Sequence, residues 1–203
     1  KIKTGAVAFE LRHLFLFSSY EDISHYTHSQ DNYHILQRPF LLYTFGTNTF
    51  QGENIVSYRY LIIGAGKQGT AAAYDLAKFG DADHILFADY DLDAAQNAAS
   101  RINALIGREV AASTQADASD IFQLASIVEG FDVVLSAVPY YFNLNITKTC
   151  IENGVSLCDM GGNTDVVWSQ LKLDEEAKAA GVSLVPDCGM GPGLINTMGV
   201  YVM

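Results

Sequence analysis

From Tyr60 to its end this sequence predicts an α/β fold built on a doubly wound parallel sheet, and three observations carry that prediction. Six short apolar or β-branched runs recur along the chain, namely YLIIG, DHILFAD, REVAAS, DVVLSAV, VSLCD and VSLVPD. Amphipathic, helix-forming stretches separate them, most of them ending at a glycine. The first run leads at once into three glycines within GAGKQG. Near-continuous apolar strands belong to a sheet buried on both faces, and the alternating helices supply the cover.

YLIIG is the first strand, and KQGTAAAYDLAKFG the helix that crosses back over it. DHILFAD and DLDAAQNAASRINALIG repeat the unit, with Asp91 placed as the helix N-cap. REVAAS with ASDIFQLASIVEG is the third unit, DVVLSAV with YYFNLNITKTCIENG the fourth, and VSLCD with TDVVWSQLKLDEEAKAAG the fifth. VSLVPD is the sixth strand, followed by a helical pattern in PGLINTMGVYVM that puts Pro192 in the first turn. Gly80, Gly107, Gly130, Gly154 and Gly181 are read as left-handed helix C-caps.

The glycines carry the chemistry. Gly64-x-Gly66-x-x-Gly69 ends a strand and opens a helix, which is the setting in which this spacing cradles a dinucleotide. Gly64 allows the tight turn, Gly66 lets a pyrophosphate approach the backbone, and Gly69 lets the helix lie close on the strand. Lys67 and Gln68 stand between them, at a helix N-terminus whose freed N–H groups and dipole favour an anion. Asp89 closes the second strand twenty residues after Gly69, where a carboxylate accepts the ribose hydroxyls. With Asp91 as the cap, Asp89 is expected to be free for that role. Its charge repels a 2′-phosphate and Tyr90 follows it in place of an Arg, so NAD is expected and NADP disfavoured. Asp117 either reaches the adenine edge or helps cap the next helix. Ala137, Val138 and Pro139 end the fourth strand at the topological switch point, where a nicotinamide ring lodges. Together these define a Rossmann-type fold.

Composition excludes other classes. A net charge of −11 with no basic stripe argues against nucleic acid. No run approaches the roughly 20 apolar residues that span a bilayer, and no signal peptide is legible, so no membrane partner is expected and a cytoplasmic location is. Cys150, Cys158 and Cys188 form no CxxC and pair with no His, which reads as small buried hydrophobes, with one reactive thiol as the alternative. No metal is expected, since His13, His25, His28 and His34 match no ligand spacing.

The motifs LIIGAGKQG, ILFADYDLDAA, DVVLSAVPYYFN, CDMGGN and VPDCGMGPGLIN resemble the saccharopine dehydrogenase-like oxidoreductases, nearest to the bacterial lysine 6-dehydrogenase type. The resemblance runs from about Tyr60 to Met203. It implies an NAD-dependent enzyme moving hydride from a carbon that bears an amine, with a lysine- or saccharopine-like amino acid as small-molecule substrate. Gly64, Gly66 and Gly69 match the phosphate loop, Asp89 the ribose acid and Ala137 to Pro139 the nicotinamide edge. Asp159 and Asp187 end strands five and six beside the cleft; either orients an amino substrate, or Asp159 only bonds the backbone of Gly161 and Gly162. No catalytic acid or base is assigned.

The implied organisation is an unassigned, poorly packed leader over residues 1–58, a dinucleotide-binding domain over 59–190, and the truncated start of a substrate domain over 191–203. The chain is read as a fragment, inactive alone, and a homo-oligomer is compatible with it. The competing class is a non-catalytic NAD-binding regulatory module, which gives no reason for DMGGN or GMGPGLIN.

Overall fold

In the computed structural model, which describes residues 57–203, each of the six apolar runs forms a strand. The leader up to residue 56, with its four histidines and the metal question they raised, lies outside the described residues. The order is β1 (Tyr58–Ile63), α1 (Lys67–Phe79), β2 (Ala82–Asp89), α2 (Leu92–Ile106), β3 (Ala111–Gln115), α3 (Ile121–Val128) and β4 (Val133–Ser136). A short turn of helix at Tyr140–Phe142 leads into α4 (Asn143–Glu152), then β5 (Ser156–Asp159), α5 (Thr164–Leu171), α6 (Asp174–Ala180), β6 (Leu184–Val185) and α7 (Ile195–Val202).

All five pairings are parallel, in the order β3-β2-β1-β4-β5-β6. Because successive side chains of a strand point to opposite faces, β1 divides its residues between two cores. Tyr60 and Ile62 join Ile85, Phe87 and the Ala73, Leu76, Ala95, Ala99 and Ile102 stripes of α1 and α2. Leu61 and Ile63 join Val134, Leu157 and the Leu124, Val128, Ile146 and Cys150 stripes of α3 and α4. The helix pairs thus cover both faces, and the strands' apolar continuity is explained.

Four local expectations change. β3 starts three residues later than REVAAS does, because Asn103 of α2 captures the strand's entry: its Oδ1 accepts the N–H groups of Val110 and Ala111 at 2.9 and 2.8 Å. Gly80 is not a left-handed cap. Its φ is −101°, a Cβ there would stand 2.9 Å from the Leu76 carbonyl oxygen, and the left-handed residue is Asp81, at φ 48°. The helix expected over 164–181 breaks at Lys172 and Leu173, and the acidic run Asp174, Glu175, Glu176 restarts it where a helix N-terminus favours carboxylates. Pro192 lies outside a regular first turn. Gly191 is extended (φ −142°, ψ 122°), a Leu194 N–H···Gly189 O bond of 2.9 Å closes a widened turn, and regular helix begins at Ile195.

Candidate functional site

β1 and β4 are neighbours in the sheet, and the helices that follow them go to opposite faces, which opens a crevice at their carboxyl ends. Gly64 leaves β1 at φ 100° and donates its N–H to Ala88 O at 2.8 Å. A Cβ on it would come 2.8 Å from the Ala137 carbonyl oxygen, so the exits of β1 and β4 touch. A Cβ on Gly69 would run into the Gly64 carbonyl oxygen, which is why α1 can lie down on its own strand. Gly66 differs from both. Its φ is −67°, open to any residue, and nothing lies within 4 Å of where its Cβ would be. The fold therefore requires two of the three glycines, Gly64 and Gly69, and makes no demand on the third.

That third glycine forms an exposed crest with Lys67 and Gln68. Their backbone N–H groups donate to no acceptor among the described residues. They are the unsatisfied donors of a helix start, directed away from the helix body with the positive end of its dipole behind them.

Asp89 stands beside this crest, and it is not free as expected. Asp91 does cap α2, accepting from Asp93 and Ala94 N–H. Asp89 nevertheless accepts the Ala65 N–H at 2.7 Å through Oδ2 and the Asp91 N–H at 3.0 Å through Oδ1. Each oxygen keeps a further lone pair, and the residue is half-buried. Tyr90 next to it is 78% exposed. Asp117 folds its Oδ1 back on the Ser119 N–H and hydroxyl at 2.8 and 2.7 Å, and these two bonds, backbone first, lower its carboxyl pKa. Asp120 is the cap of α3. Asp117 supports that turn and stays exposed beyond the end of β3, two strands from the β1–β4 gap.

At the exit of β4 the Ala137 N–H donates to Ile63 O at 2.8 Å, tying Ala137 and Val138 to the glycine loop. Ser136 behind them is buried, its hydroxyl 2.7 Å from Asn143 Oδ1. β4 itself stops at Ser136, earlier than expected; Pro139 lies three residues beyond it and its carbonyl accepts the Phe142 N–H at 3.1 Å, which starts the helical turn over Tyr140–Phe142.

The two cleft carboxylates separate. Asp159 is only 1% exposed; its Oδ1 accepts the Gly161 and Asp187 N–H groups at 2.7 and 3.2 Å, and its Oδ2 the Gln170 amide at 2.6 Å. Both Asp159 oxygens are thus engaged within the protein, one of them with the Gly161 backbone that its structural alternative named. The Gly162 N–H goes not to Asp159 but to Asp187 Oδ1, at 3.3 Å. Each aspartate thus clips the other's turn. Asp187 is half-buried in a left-handed conformation, φ 60°, and its carboxylate fills the space a Gly161 side chain would need. Its Oδ2 accepts no hydrogen bond from the described residues. Gly162 in turn lies 3.5 Å, by the same Cβ measure, from the Tyr140 side chain, which brings this corner next to Pro139.

Gln170 was missed in the sequence. It is buried on α5, bonds Asp159 and the Thr147 hydroxyl through Nε2, and leaves Oε1 unpartnered. The available signal was a polar residue in the stripe of Val166 and Val167.

The surroundings of the three cysteines work against a thiolate. Burial pushes Cys150 and Cys188 up to about 12 and Cys158 higher still, Asp159 and Asp187 adding to the rise at Cys188. Among the described residues no group of three His, Cys, Asp or Glu could hold a metal, and no helix is long and apolar enough to cross a membrane.

Comparison with known proteins bears on this geometry. The family model described as saccharopine dehydrogenase NADP binding domain matches residues 60–185. Mouse (Mus musculus) mitochondrial alpha-aminoadipic semialdehyde synthase is 31% identical over 72 residues, 36% of this chain and 8% of that protein. The Arabidopsis thaliana alpha-aminoadipic semialdehyde synthase is 32% identical over 87 residues, 43% of this chain and again 8% of its own length. Among solved structures, apo saccharopine dehydrogenase (L-Glu forming) from Saccharomyces cerevisiae superposes with a TM-score of 0.58 at 22% identity, covering 72% of this chain and 30% of that one. The chain thus spans a small part of the relatives it matches, and the structural likeness is one of fold.

Proposed function

The chain belongs to the saccharopine dehydrogenase NADP-binding domain family, and on that premise we propose that it is the cofactor-binding part of an NAD-dependent dehydrogenase acting on the amine-bearing carbon of an amino acid, lysine- or saccharopine-like. One observation carries the reading: a glycine the fold does not need, heading three backbone N–H groups that no described residue accepts, in the crevice between β1 and β4. A diphosphate fits that crest, since it supplies acceptors for the N–H groups and needs the space a side chain would take.

Asp89 accepts the adenosine ribose hydroxyls with its remaining lone pairs. Asp89, Asp91 and Asp93 lie within five residues, with no Lys or Arg from 89 to 100, so a 2′-phosphate would meet carboxylates at the β2 exit and no cation from that segment. NAD is therefore the cofactor we assign, although the family's description names NADP. Ala137, Val138 and Pro139 flank the nicotinamide, which when bound supplies the hydride acceptor. Asp187, with Oδ2 unengaged beside Tyr140 and Gly162, attracts the substrate ammonium, while Asp159 and Gln170 hold its turn in place.

Calorimetric titration of the chain with NAD and NADP tests the cofactor, and nicotinamide reduction by the full-length protein with L-lysine or saccharopine tests the reaction. Binding of NAD at least tenfold tighter than NADP is expected. No heat with either nucleotide at millimolar concentration overturns the reading, and NAD binding without reduction on any amine substrate leaves a regulatory module instead.

A further inference from the structure

The hydrogen bond from Ala65 to Asp89 has a consequence for the phosphate crest. Ala65 is the residue between the first two glycines, and it is 8% exposed. Its N–H has one acceptor, Asp89 Oδ2, at 2.7 Å, and its carbonyl is held by the Thr70 hydroxyl at 3.2 Å. The peptide that follows presents the Gly66 N–H, first of the three donors that no described residue accepts. No side chain at Gly66 restricts the backbone there. The direction of that N–H is therefore set by the tethers of Ala65, and the strong one is a charged acceptor on the neighbouring strand.

We propose that Asp89 is a positioning residue for the pyrophosphate loop as well as a ribose acceptor, so that the sugar-reading group and the diphosphate cradle form one hydrogen-bonded unit. This rests on the crevice being a dinucleotide site. Without Asp89 the Ala65 N–H is a buried donor with no partner, and the peptide turns to find one. The Gly66 N–H turns with it. The second Asp89 oxygen, bonded to the Asp91 N–H, keeps the carboxylate from following the loop, so the β2 exit and not the glycine turn is the fixed point.

The two roles separate in a cycle of two ligands and three proteins. Wild type, Asp89→Ala and Asp89→Asn are titrated with NAD and with the analogue whose adenosine ribose lacks both the 2′- and 3′-hydroxyl groups. A carboxylate that only reads hydroxyls has nothing to lose with the analogue, and removing its charge near a diphosphate would tighten binding. Positioning predicts the opposite sign: Asp89→Ala weakens the analogue by roughly tenfold, and Asp89→Asn, which keeps one acceptor, falls between. In the nucleotide-free 15N spectrum the Ala65 and Gly66 amide signals move in Asp89→Ala while those of β5 and α4 stay. Analogue affinity equal to or above wild type in Asp89→Ala, or an unmoved Ala65 signal, overturns the proposal. If wild type binds neither nucleotide, the dinucleotide reading fails, and the ligand-free spectrum still decides whether Asp89 sets the loop.

Discussion

Exchanging the glycines one at a time separates what the fold needs from what the ligand needs. At Gly69 an added methyl meets the Gly64 carbonyl oxygen with Ile62 Cγ2 also 3.2 Å away, so α1 must lift from β1. Overpacking of this kind costs about 1–3 kcal/mol. The contact is with backbone and cannot rotate aside, which puts Gly69→Ala at the upper end even after the gain of about 1 kcal/mol in helix propensity. At Gly66 the methyl meets nothing within 4 Å, and φ of −67° suits any residue. Gly66→Ala therefore costs less than about 1 kcal/mol, the difference between the two as N-caps. For a domain of this size, melting should fall by about 4–10 °C in Gly69→Ala and by less than about 4 °C in Gly66→Ala. The order inverts for NAD. Gly66→Val puts methyl groups where the diphosphate belongs and should remove measurable binding while the protein stays folded. Thermal unfolding followed by circular dichroism and calorimetric titration on the same samples provide both readouts. If Gly66→Val binds NAD like wild type, or Gly66→Ala melts as low as Gly69→Ala, the division of labour argued for the three glycines is wrong.

Further outcomes follow from the same geometry. Asp89→Ala with Tyr90→Arg should move the ratio of NAD to NADP dissociation constants by about tenfold or more towards NADP; paired titrations read it, and an unchanged ratio removes Asp89 from the ribose. Asp159→Ala strands two backbone donors and the Gln170 amide in the interior and should cost about 3–5 kcal/mol in urea unfolding, whereas Asp187→Gly, which relieves a left-handed aspartate, should stay within about 1 kcal/mol of wild type. Equal losses would place the two aspartates in the same role. The buried thiols set an alkaline limit: with Cys150 raised from 9.0 to about 12, their contribution is intact below pH 9 and is lost as pH rises from there towards 12, at up to about 1.4 kcal/mol per pH unit per thiol. Cys150→Ala should flatten that limb of the stability profile, and a limb of unchanged slope would mean the thiol does not cause it.

Much of the fold was legible because its signals are local. An apolar run buried on both faces, a cap such as Asp91, or a glycine at Gly107 is decided by a residue and its near neighbours, and these appear as read. The misplaced details depend on residues brought from elsewhere. Asn103 delays β3 from the far end of α2, and the Leu76 turn beneath Gly80 passes the left-handed residue on to Asp81. The break at Lys172 follows Gln170, whose place in the Val166 and Val167 stripe marks an inward-facing position but not its bonds to Asp159 and Thr147.

The sequence by itself determined that a strand, a glycine turn and a helix follow one another, and that an acid closes the next strand, because spacing along the chain fixes those relations. Only the tertiary structure decided which glycine stands free of the fold, which aspartate is enclosed and which keeps an open oxygen, and that Asp89, expected to be free for a ribose, grips the glycine loop. Those are facts of distance between segments far apart in the chain, where burial and hydrogen-bond partners are set by packing and not by the residue type.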